Sequence, residues 1–370
     1  MGLGIKTKLL NGYKLQLQAK QIRLEQLHEQ HLVMQYYNSS SLEPLSAKEN
    51  QQISSVWGGV VKLDCLDEYR LFKTVKGFDP RYLSHYIYLP VLARKLNDYR
   101  LTKLFEDKGL QGFIVNSNIR SPKVYTRRID GEYYNSSMNQ VSLGEVIAEC
   151  VGKDLIIKDS KDSSGGKGIS KITSPKANID TIKAGFDSRN GDFVVQECIS
   201  QSSEMAKFNP SSINTFRITT LYLNGKYSLC NICLRMGRNG SSVDNWGSGG
   251  IMICVNPDGE LKDVGYDIQL NKYESSNGVK FKGQIIKEMP YILQQVEKAH
   301  KNYFSLCKFI GWDICIDENN EPVLIELNSS QPGVIGEQIC NGPIFGDRTE
   351  EVIEYCKSKK FEYNRALFRY

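Results

Sequence analysis

The sequence predicts an α+β protein built around antiparallel hairpins. Two strand-like runs within residues 213–236 are joined at Asn224-Gly225, a dipeptide typical of tight hairpin turns. A second pair of apolar runs lies within residues 311–327, on either side of a polar turn. Residues 113–200 add short strands alternating with helical segments. Antiparallel hairpins without a regular strand–helix–strand succession indicate the α+β class.

Composition excludes several function classes. The chain has 370 residues, 40% hydrophobic and 24% charged, which is enough apolar material for a core and length for two or three domains. The net charge of +5 comes without a basic block, so no nucleic-acid partner is expected. No run of 18 apolar residues and no secretory signal are visible, so we expect no transmembrane segment. The ten scattered cysteines then indicate a reduced, cytoplasmic protein.

Residues 1–52 are expected to form an N-terminal helical extension. Residues 5–37 contain no proline and one glycine, and leucines recur among Lys, Gln and Glu, which predicts one long amphipathic helix. We expect such a helix to dock either on the main body or on a second copy of the chain. In the second case the protein would be a homo-oligomer. The alternative is a basic membrane-surface helix, because five cations in its first part, up to Arg23, face only two acids.

Three further domains follow, at 53–112, 113–200 and 201–370. Ser142 and Glu145 form a capping box that opens a helix to about Cys150. The other predicted elements are helices over 88–96, 179–184, 284–306 and 349–359, and strands over 113–115, 155–158, 193–197 and 250–255.

The first candidate site is a lysine that ends a strand and is followed by a loop of small residues. Lys158 precedes the loop Ser163, Ser164, Gly165, Gly166, Lys167 and Gly168. Glycines let backbone N–H groups approach a phosphate, and lysine adds positive charge. The spacing matches neither a Walker A loop nor a dinucleotide fingerprint, so a plain flexible hairpin is the alternative.

The second candidate is a set of oxygen-bearing side chains on the hairpin 311–327. Strand alternation puts Glu326 and Asn328 on one face, and Asp313 comes from the neighbouring strand. Such oxygens suit Mg²⁺ bridging nucleotide phosphates. A polar solvent face is the alternative, but the flanking residues are apolar, which favours a buried site.

Weaker signals complete the set. An apolar strand running into Gln196, Glu197, Cys198 and Ile199 is suited to a hinge whose backbone binds a flat base. Arg217 lies inside a strand pattern and either grips a phosphate or carboxylate or forms a structural ion pair. Arg235 precedes a Gly-rich loop with Asn245, Gly249 and Gly250, which is a carboxylate clamp or an ordinary surface loop. Cys230 and Cys233 stand alone as a pair, and core packing is favoured over metal binding.

Taken in order, these pieces resemble the ATP-grasp family over about residues 95–340. That family has a strand lysine with a Gly-rich lid, a hinge ending in glutamate, and a metal-binding Asp followed by Glu-x-Asn. Pro332-Gly333 after the Asn fits the same pattern. The segment 97–105, which contains Lys103, is similar to the family's Asp-Lys segment, although the adjacent Asp-Lys pair itself is not intact there. The stretches 212–217, 244–250 and 311–313 are similar to the sugar-transfer-associated ATP-grasp group. One departure is Asp159 after the strand lysine, where the family usually has proline or a small residue.

The resemblance implies two α+β subdomains that grip ATP between antiparallel sheets, with one or two Mg²⁺. It implies a carboxylate–amine ligase that works through an acyl phosphate on small-molecule acid and amine substrates. By the same resemblance, the phosphates would be contacted by Lys103, Lys158 and Arg217. The metal would be bound by Asp313, Glu326 and Asn328. The substrates would be bound by Asn214, Arg235, Asn245, Gly249 and Gly250. The subgroup suggests joining an amino acid or amine to a sugar acid in bacterial surface-polysaccharide assembly. An ATP-dependent kinase on the same fold and a non-catalytic nucleotide-binding protein are the alternatives.

Overall fold

The computed structural model describes residues 2–37, 39–111, 118–161 and 168–359. The chain divides into two compact units, one formed by residues 1–99 with 330–370 and the other by residues 100–329. The predicted strand 113–115 lies outside the described residues. The predicted domain boundaries at 52, 112 and 200 stay a prediction.

The helices and strands are as follows, in chain order. The helices are α1 (Gly2–Met34), α2 (Ala47–Trp57), α3 (Asp67–Lys76), α4 (His85–Ile87), α5 (Ala93–Leu96), α6 (Tyr99–Phe105), α7 (Leu143–Cys150), α8 (Ile179–Asp187), α9 (Ser203–Ala206), α10 (Met289–Asn302), α11 (Ile335–Asn341) and α12 (Thr349–Ser358). The strands are β1 (Val124–Ile129), β2 (Glu132–Asn135), β3 (Leu155–Asp159), β4 (Ile169–Ile172), β5 (Phe193–Glu197), β6 (Thr215–Leu223), β7 (Lys226–Met236), β8 (Ile251–Cys254), β9 (Gly265–Tyr266), β10 (Lys272–Tyr273), β11 (Ser275–Ser276), β12 (Val279–Lys280), β13 (Phe309–Ile316) and β14 (Pro322–Asn328). A π-helical turn, Tyr88–Leu92, joins α4 to α5.

The first unit is helical, and α1 confirms the predicted long N-terminal helix. In the part of α1 whose side chains are described, the buried residues are mainly polar. One of them is Glu25, which is almost fully covered and forms an ion pair with Arg94 at 2.8 Å. Leu17 and Leu24 instead leave about half of their surface exposed. The leucine face expected to dock is therefore turned outward in this unit, and polar contacts hold the helix.

The last described segment of the chain returns to the first unit. The side chain of Gln338 on α11 accepts a hydrogen bond from the backbone N–H of Leu83 and donates one to its carbonyl, both at 2.8 Å. Trp57, fully buried at the end of α2, donates its indole N–H to the carbonyl of Pro80. Residues 330–359, expected from the sequence to lie in the C-terminal domain, thus complete the N-terminal core.

The second unit contains the two antiparallel sheets. The smaller has the order β2-β1-β5-β3-β4, and the larger has the order β10-β9-β8-β7-β6-β13-β14. The predicted hairpins β6–β7 and β13–β14 are confirmed. Asn224 and Gly225 both have positive φ (52° and 75°), the geometry of a type I′ turn that matches the strand twist. The capping box at Ser142 and Glu145 also begins α7 as predicted.

Each sheet buries one face and presents polar residues on the other. On the large sheet, Phe216, Trp312 and their alternate neighbours pack into an apolar core with Ile292 and Val296 of α10. On the small sheet, Leu155 and Ile157 pack on α7 and α8 in the same way. Since strand neighbours alternate between faces, the residues between them point to the opposite side. Those residues carry the predicted chemistry.

Two negative findings concern the described ranges 2–37, 39–111, 118–161 and 168–359. Within them, no helix is both long and apolar enough to cross a membrane. The same residues hold no group of three or more His, Cys, Asp or Glu able to bind a metal. Cys230 and Cys233 both lie on β7, where Cys233 is buried and Cys230 is partly buried.

Candidate functional site

Two arginines converge on one carboxylate at the polar face of the large sheet. Asp313 on β13 is in register with Arg217 on β6. Arg217 grips it side-on, with Nε–Oδ1 at 2.6 Å and Nη2–Oδ2 at 3.0 Å, and Nη2 of Arg235 lies 3.0 Å from the same Oδ2. Burial would raise the pKa of Asp313, but the two guanidiniums outweigh it and hold the pKa below its ordinary value. Asp313 is therefore a fixed anion that orients both arginines.

The predicted metal residues lie together beside this cluster. Asp313 is paired in register with Glu326 of β14, so their side chains share a face. Asn328 donates its amide to Oδ2 of Asp313 at 3.2 Å. The Glu326 side chain is about one-third exposed (30%), whereas that of Asp313 is covered (5%). A ligand arriving from solvent would therefore meet Glu326 before Asp313.

These residues fit Mg²⁺ when it arrives with a nucleotide. Carboxylate oxygens of Asp313 and Glu326 and the amide oxygen of Asn328 are the hard donors that Mg²⁺ prefers. Because Asp313 already serves two arginines and Asn328, the protein supplies few free ligands. The ion would need water and phosphate oxygens to complete its shell, which is the usual state of Mg²⁺ in nucleotide sites.

Two buried lysines face Glu326. Nζ of Lys108 lies 3.0 Å from Oε1 of Glu326. Lys158, at the end of β3 in the small sheet, is buried as well, and the charges of Glu326 and Lys108 both act on it. Burial, only partly offset by Glu326, lowers the pKa of Lys158 to about 8. A pair of buried cations from different elements is costly unless anions balance them, and this favours a polyanionic ligand.

Lys108 is a residue that the sequence analysis missed. Its backbone N–H donates to the carbonyl of Ser160, just beyond β3, and Gly109 next to it accepts a hydrogen bond from the buried Arg127 of β1. These contacts fix Lys108 between the small sheet and Glu326. A signal was present, because Asp107-Lys108 is an adjacent Asp-Lys pair four residues beyond Lys103. Lys103 itself lies on α6 with an exposed side chain.

The base of the Gly-rich loop is held by one arginine. Buried Arg189 donates to Asp159 at 2.6 Å, to the carbonyl of Gly168 at 2.5 Å and to the hydroxyl of Ser170 at 2.9 Å, so it ties β3 to β4. Asp159, which stands where the family usually has proline or a small residue, is thus a partner of Arg189. Gly168 has φ of +72°, and a Cβ there would lie 2.3 Å from Oδ2 of Asp159. The predicted loop residues Ser163, Ser164, Gly165, Gly166 and Lys167 lie outside the described residues.

The predicted hinge ends at a three-way ion contact. Gln196 pairs with Ile156, on the same face of the small sheet as Lys158. Glu197 accepts from Arg120 at 2.5 Å, and Arg120 also reaches Asp317 on the β13–β14 turn at 2.7 Å. The two residues that follow continue the hinge: the N–H of Cys198 donates to the carbonyl of Asp154, and Ile199 packs on Cys315 and Val323. The segment therefore joins the two sheets of this unit.

The Gly-rich loop after β7 brings a further carboxylate to the arginines. Asp244 lies 3.6 Å from Arg235, and its Oδ2 accepts from the hydroxyl of Thr215. Gly249 ends the following turn with φ of +92°, a left-handed conformation that glycine tolerates best. A Cβ at Gly250 would lie 2.8 Å from the carbonyl of Asp244. The two glycines thus set the path of the loop that carries Asp244.

Two of the predicted substrate residues have structural contacts. Asn214 is fully buried and donates its amide to the carbonyls of Met205 and Asn209, at 2.7 and 3.1 Å. The side chain of Asn245 accepts from the N–H of Ser248 and caps a short 3₁₀ turn. Both brace the loops around Arg235.

The paired antiparallel sheets, with lysines on the small-sheet side and Asp, Glu and Asn on the large sheet, define an ATP-grasp protein. A family model, described as sugar-transfer associated ATP-grasp, matches residues 91–354. The chain belongs to that family. A comparison with curated proteins gave no match.

Solved ATP-grasp structures resemble the chain at low identity. D-alanyl-alanine synthetase A from Vibrio cholerae is 10% identical (TM-score 0.41), with 68% of this chain and 64% of that one covered. VanG D-Ala:D-Ser ligase from Enterococcus faecalis is 13% identical (TM-score 0.40; 69% and 61%). The biotin carboxylase domain of Hydrogenobacter thermophilus 2-oxoglutarate carboxylase, solved with MgADP and bicarbonate, is 14% identical (TM-score 0.42; 74% and 49%). The chain thus spans roughly half to two-thirds of the length of these proteins.

Proposed function

We propose that this protein is an ATP- and Mg²⁺-dependent ligase that joins a carboxylic acid to an amine through an acyl phosphate. The observation that carries the proposal is the meeting of Lys158 and Lys108 with Glu326, beside the Arg217–Asp313–Arg235 cluster. Four cations and two carboxylates on opposed surfaces suit a triphosphate with its metal and a second anion next to it. A ligase of this type needs both.

The phosphates would be held by the lysines. Phosphoryl transfer is mainly positioning and charge neutralisation, so buried ammonium groups at fixed positions are effective. Lys158 and Lys108 would contact phosphate oxygens, and Asp313, Glu326 and Asn328 would hold Mg²⁺. The ion supplies charge neutralisation across the phosphate oxygens when bound. The Gly-rich loop 163–168 would cover the phosphates.

The acid substrate would lie against the arginines. Arg217 is fixed by Asp313 in a side-on pair, so its guanidinium keeps its orientation when an anion arrives. A carboxylate oxygen held there would attack the γ-phosphorus in line, while the bond from that phosphorus to the β,γ-bridging oxygen breaks and ADP leaves with its electron pair. The acyl phosphate that forms would keep its charge beside Arg217 and Arg235. Burial of this face limits hydrolysis of the intermediate before the amine arrives.

For the biological role we propose that the acid is a sugar acid and the amine an amino acid or related compound, joined during bacterial surface-polysaccharide assembly. The support is the family's association with sugar transfer. We also propose that the protein acts in the cytoplasm, where ATP is available. A second copy of the chain bound through α1 would make the protein an oligomer.

The test is transfer of oxygen-18 from the acid to phosphate. The native protein is incubated with MgATP, an amine panel and hexuronic acids labelled in the carboxyl group. A ligase of this mechanism releases ADP only when acid and amine are both present, and one labelled oxygen appears in the inorganic phosphate. ADP release with a phosphorylated acid as final product would instead show a kinase. Absence of ADP release with every pair would reject catalysis on these substrate classes.

A further inference from the structure

One buried arginine holds the residues on both sides of Lys158. Arg189 follows the end of α8, and its Nη2 donates to the carbonyl of Ile157 at 3.1 Å. Its Nη1 donates to the carboxylate of Asp159 at 2.6 Å. Ile157 and Asp159 are the chain neighbours of Lys158. A single guanidinium therefore fixes the backbone before the lysine and the side chain after it.

The same guanidinium fixes the start of β4, which is an edge strand of the small sheet. Nη1 also donates to the carbonyl of Gly168 at 2.5 Å, and Nη2 donates to the hydroxyl of Ser170 at 2.9 Å. β4 has four residues and is paired on one side, with β3. Because a short edge strand has few ladder hydrogen bonds, it opens easily. Arg189 adds attachment where the Gly-rich loop rejoins the sheet.

The orientation of Arg189 serves its acceptors at the expense of one of its own donors. Only 6% of the side chain is exposed, and Nε is a buried donor with no partner among the described residues. A buried donor without a partner costs free energy. The guanidinium is turned so that both Nη groups reach the two ends of the loop. Such a local cost is typical of a residue whose placement serves function.

We propose that Arg189 is a positioning residue for MgATP, which fixes Lys158 where the phosphates bind, with Asp159 as its anchor. Successive residues of β3 alternate between the faces of the sheet, so Asp159 lies on the face opposite Lys158. Arg189 thus acts from the side of the sheet that packs on α8 and makes no contact with the nucleotide. A lysine whose neighbours are fixed loses less entropy when it binds a phosphate.

This placement also accounts for an acid next to the phosphate-binding lysine. The charge of Asp159 lies behind the sheet and is balanced by Arg189, so it does not oppose the phosphates from their own side. The inference rests on the proposed function, because it assumes that Lys158 binds the phosphates of MgATP. It adds a residue that the sequence pattern of the site does not contain.

A cavity leads to Arg189 from the side of the sheet that packs on α8. It is open, has a volume of about 730 Å³, and is lined by Arg189, Asp159, Ser170 and the segment 188–192 among others. Lys158 is not part of this lining. A small cation can therefore reach the place of the guanidinium without entering the nucleotide cleft.

The first experiment is a double-variant cycle on MgATP binding, measured by isothermal titration. Arg189→Ala should weaken binding about tenfold in the native background, but no more than about twofold when Lys158→Met is already present. Asp159→Ala repeats the cycle at a side chain that is 41% exposed, with less risk to folding. Asp187→Ala, exposed at the end of α8, is the matched control and should leave the Kd unchanged.

The second experiment is rescue of Arg189→Ala by ethylguanidinium, which supplies the atoms that the substitution removes. Added ethylguanidinium should recover most of the lost MgATP affinity of Arg189→Ala and should not improve binding by Lys158→Met.

Equal losses from Arg189→Ala in both backgrounds would overturn the inference, because Arg189 would then act independently of Lys158. Unchanged affinity in both Arg189→Ala and Asp159→Ala would overturn it as well. In these cases the nucleotide site itself would stand. Failure of the folded native protein to bind MgATP would instead reject the proposed function together with this inference.

Discussion

At the residue scale, the environment of a side chain decides its role more than its type does. Lys103 and Lys108 are five positions apart and chemically identical. Lys103 is exposed on α6, whereas Lys108 is buried 3.0 Å from Glu326 and is fixed through its backbone to Ser160. A buried ammonium with restricted motion binds a phosphate with less loss of entropy than an exposed one.

Substitution of these lysines is therefore expected to have unequal effects. Lys108→Met should weaken MgATP binding about ten- to hundredfold, the usual loss for a hydrogen bond to a charged group. Lys103→Met should change it by no more than about threefold, because exposed charges contribute little. Isothermal titration with MgATP measures both. A larger loss in Lys103→Met would assign the phosphate contact to Lys103 instead.

We expect substitutions of Asp313 and Glu326 to differ in their effect on folding stability, because Asp313 has a structural role and Glu326 a ligand-binding one. Asp313→Asn removes the partner of two buried guanidiniums and should cost about 3–5 kcal/mol of folding free energy without any ligand. Glu326→Gln should cost about 1 kcal/mol or less, since its side chain is partly exposed. Urea unfolding of the ligand-free variants measures the difference. Equal destabilisation would show that Asp313 does not brace the arginines.

At the element scale, α1 illustrates a helix held by buried polar contacts. Glu29 lies 3.9 Å from His85, and its neighbour Glu25 pairs with Arg94. Burial, reinforced by the charge of Glu25 and opposed by Arg94, raises the pKa of Glu29 from 4.5 to about 7. The folded state therefore binds a proton that the unfolded state has released between those two pH values, and stability falls as the pH rises through this range.

Glu29→Gln should remove that pH dependence. Below the unfolded pKa the variant and the native protein should be equally stable, because Glu29 is protonated in both states. At about pH 8, above the folded pKa, the variant should be more stable by about 1–3 kcal/mol. Thermal unfolding at about pH 3.5 and pH 8 tests this. A variant that is less stable by the same amount at both values would show that the Glu29 carboxylate stabilises the helix contact.

The loop that carries Asp244 depends on its glycines. Gly250→Ala would bring Cβ to 2.8 Å from the backbone carbonyls of Asp244 and Met236, which cannot yield without moving the loop. We expect a loss of about 1–3 kcal/mol, as for other overpacked sites. Gly191→Ala, at an exposed position with open space around it, should remain within about 0.5 kcal/mol. Urea unfolding distinguishes them, and an unchanged Gly250→Ala would show that the loop adapts.

At the scale of the whole molecule, much of the fold followed from local signals. Asn224-Gly225 predicted the β6–β7 turn, Ser142 and Glu145 predicted the start of α7, and the apolar runs around Asp313 predicted β13–β14. These signals act over a few residues, since turn geometry, helix capping and strand alternation are local. The ordered motifs also indicated the family, which the match over residues 91–354 confirms.

The rest depends on contacts between residues distant in sequence. The pairing of Asp313 with Arg217 spans 96 positions, and no local pattern shows that this carboxylate is shared by two arginines. The return of Gln338 to Leu83 spans 255 positions. The leucine pattern of α1 likewise does not reveal that a polar face is buried in this unit, where Glu25 pairs with Arg94. Such outcomes are set by tertiary structure.

The central claim is that MgATP binds between Lys108, Lys158 and the Glu326–Asn328 strand. Thermal unfolding of the native protein with MgATP, against the double variant Glu326→Ala with Asn328→Ala, tests it most directly. At about 100 times its Kd a ligand adds about 2.7 kcal/mol, a rise in Tm of a few degrees. The account predicts that rise in the native protein and its loss in the double variant. No rise in a folded native protein, or the same rise in both, would contradict it.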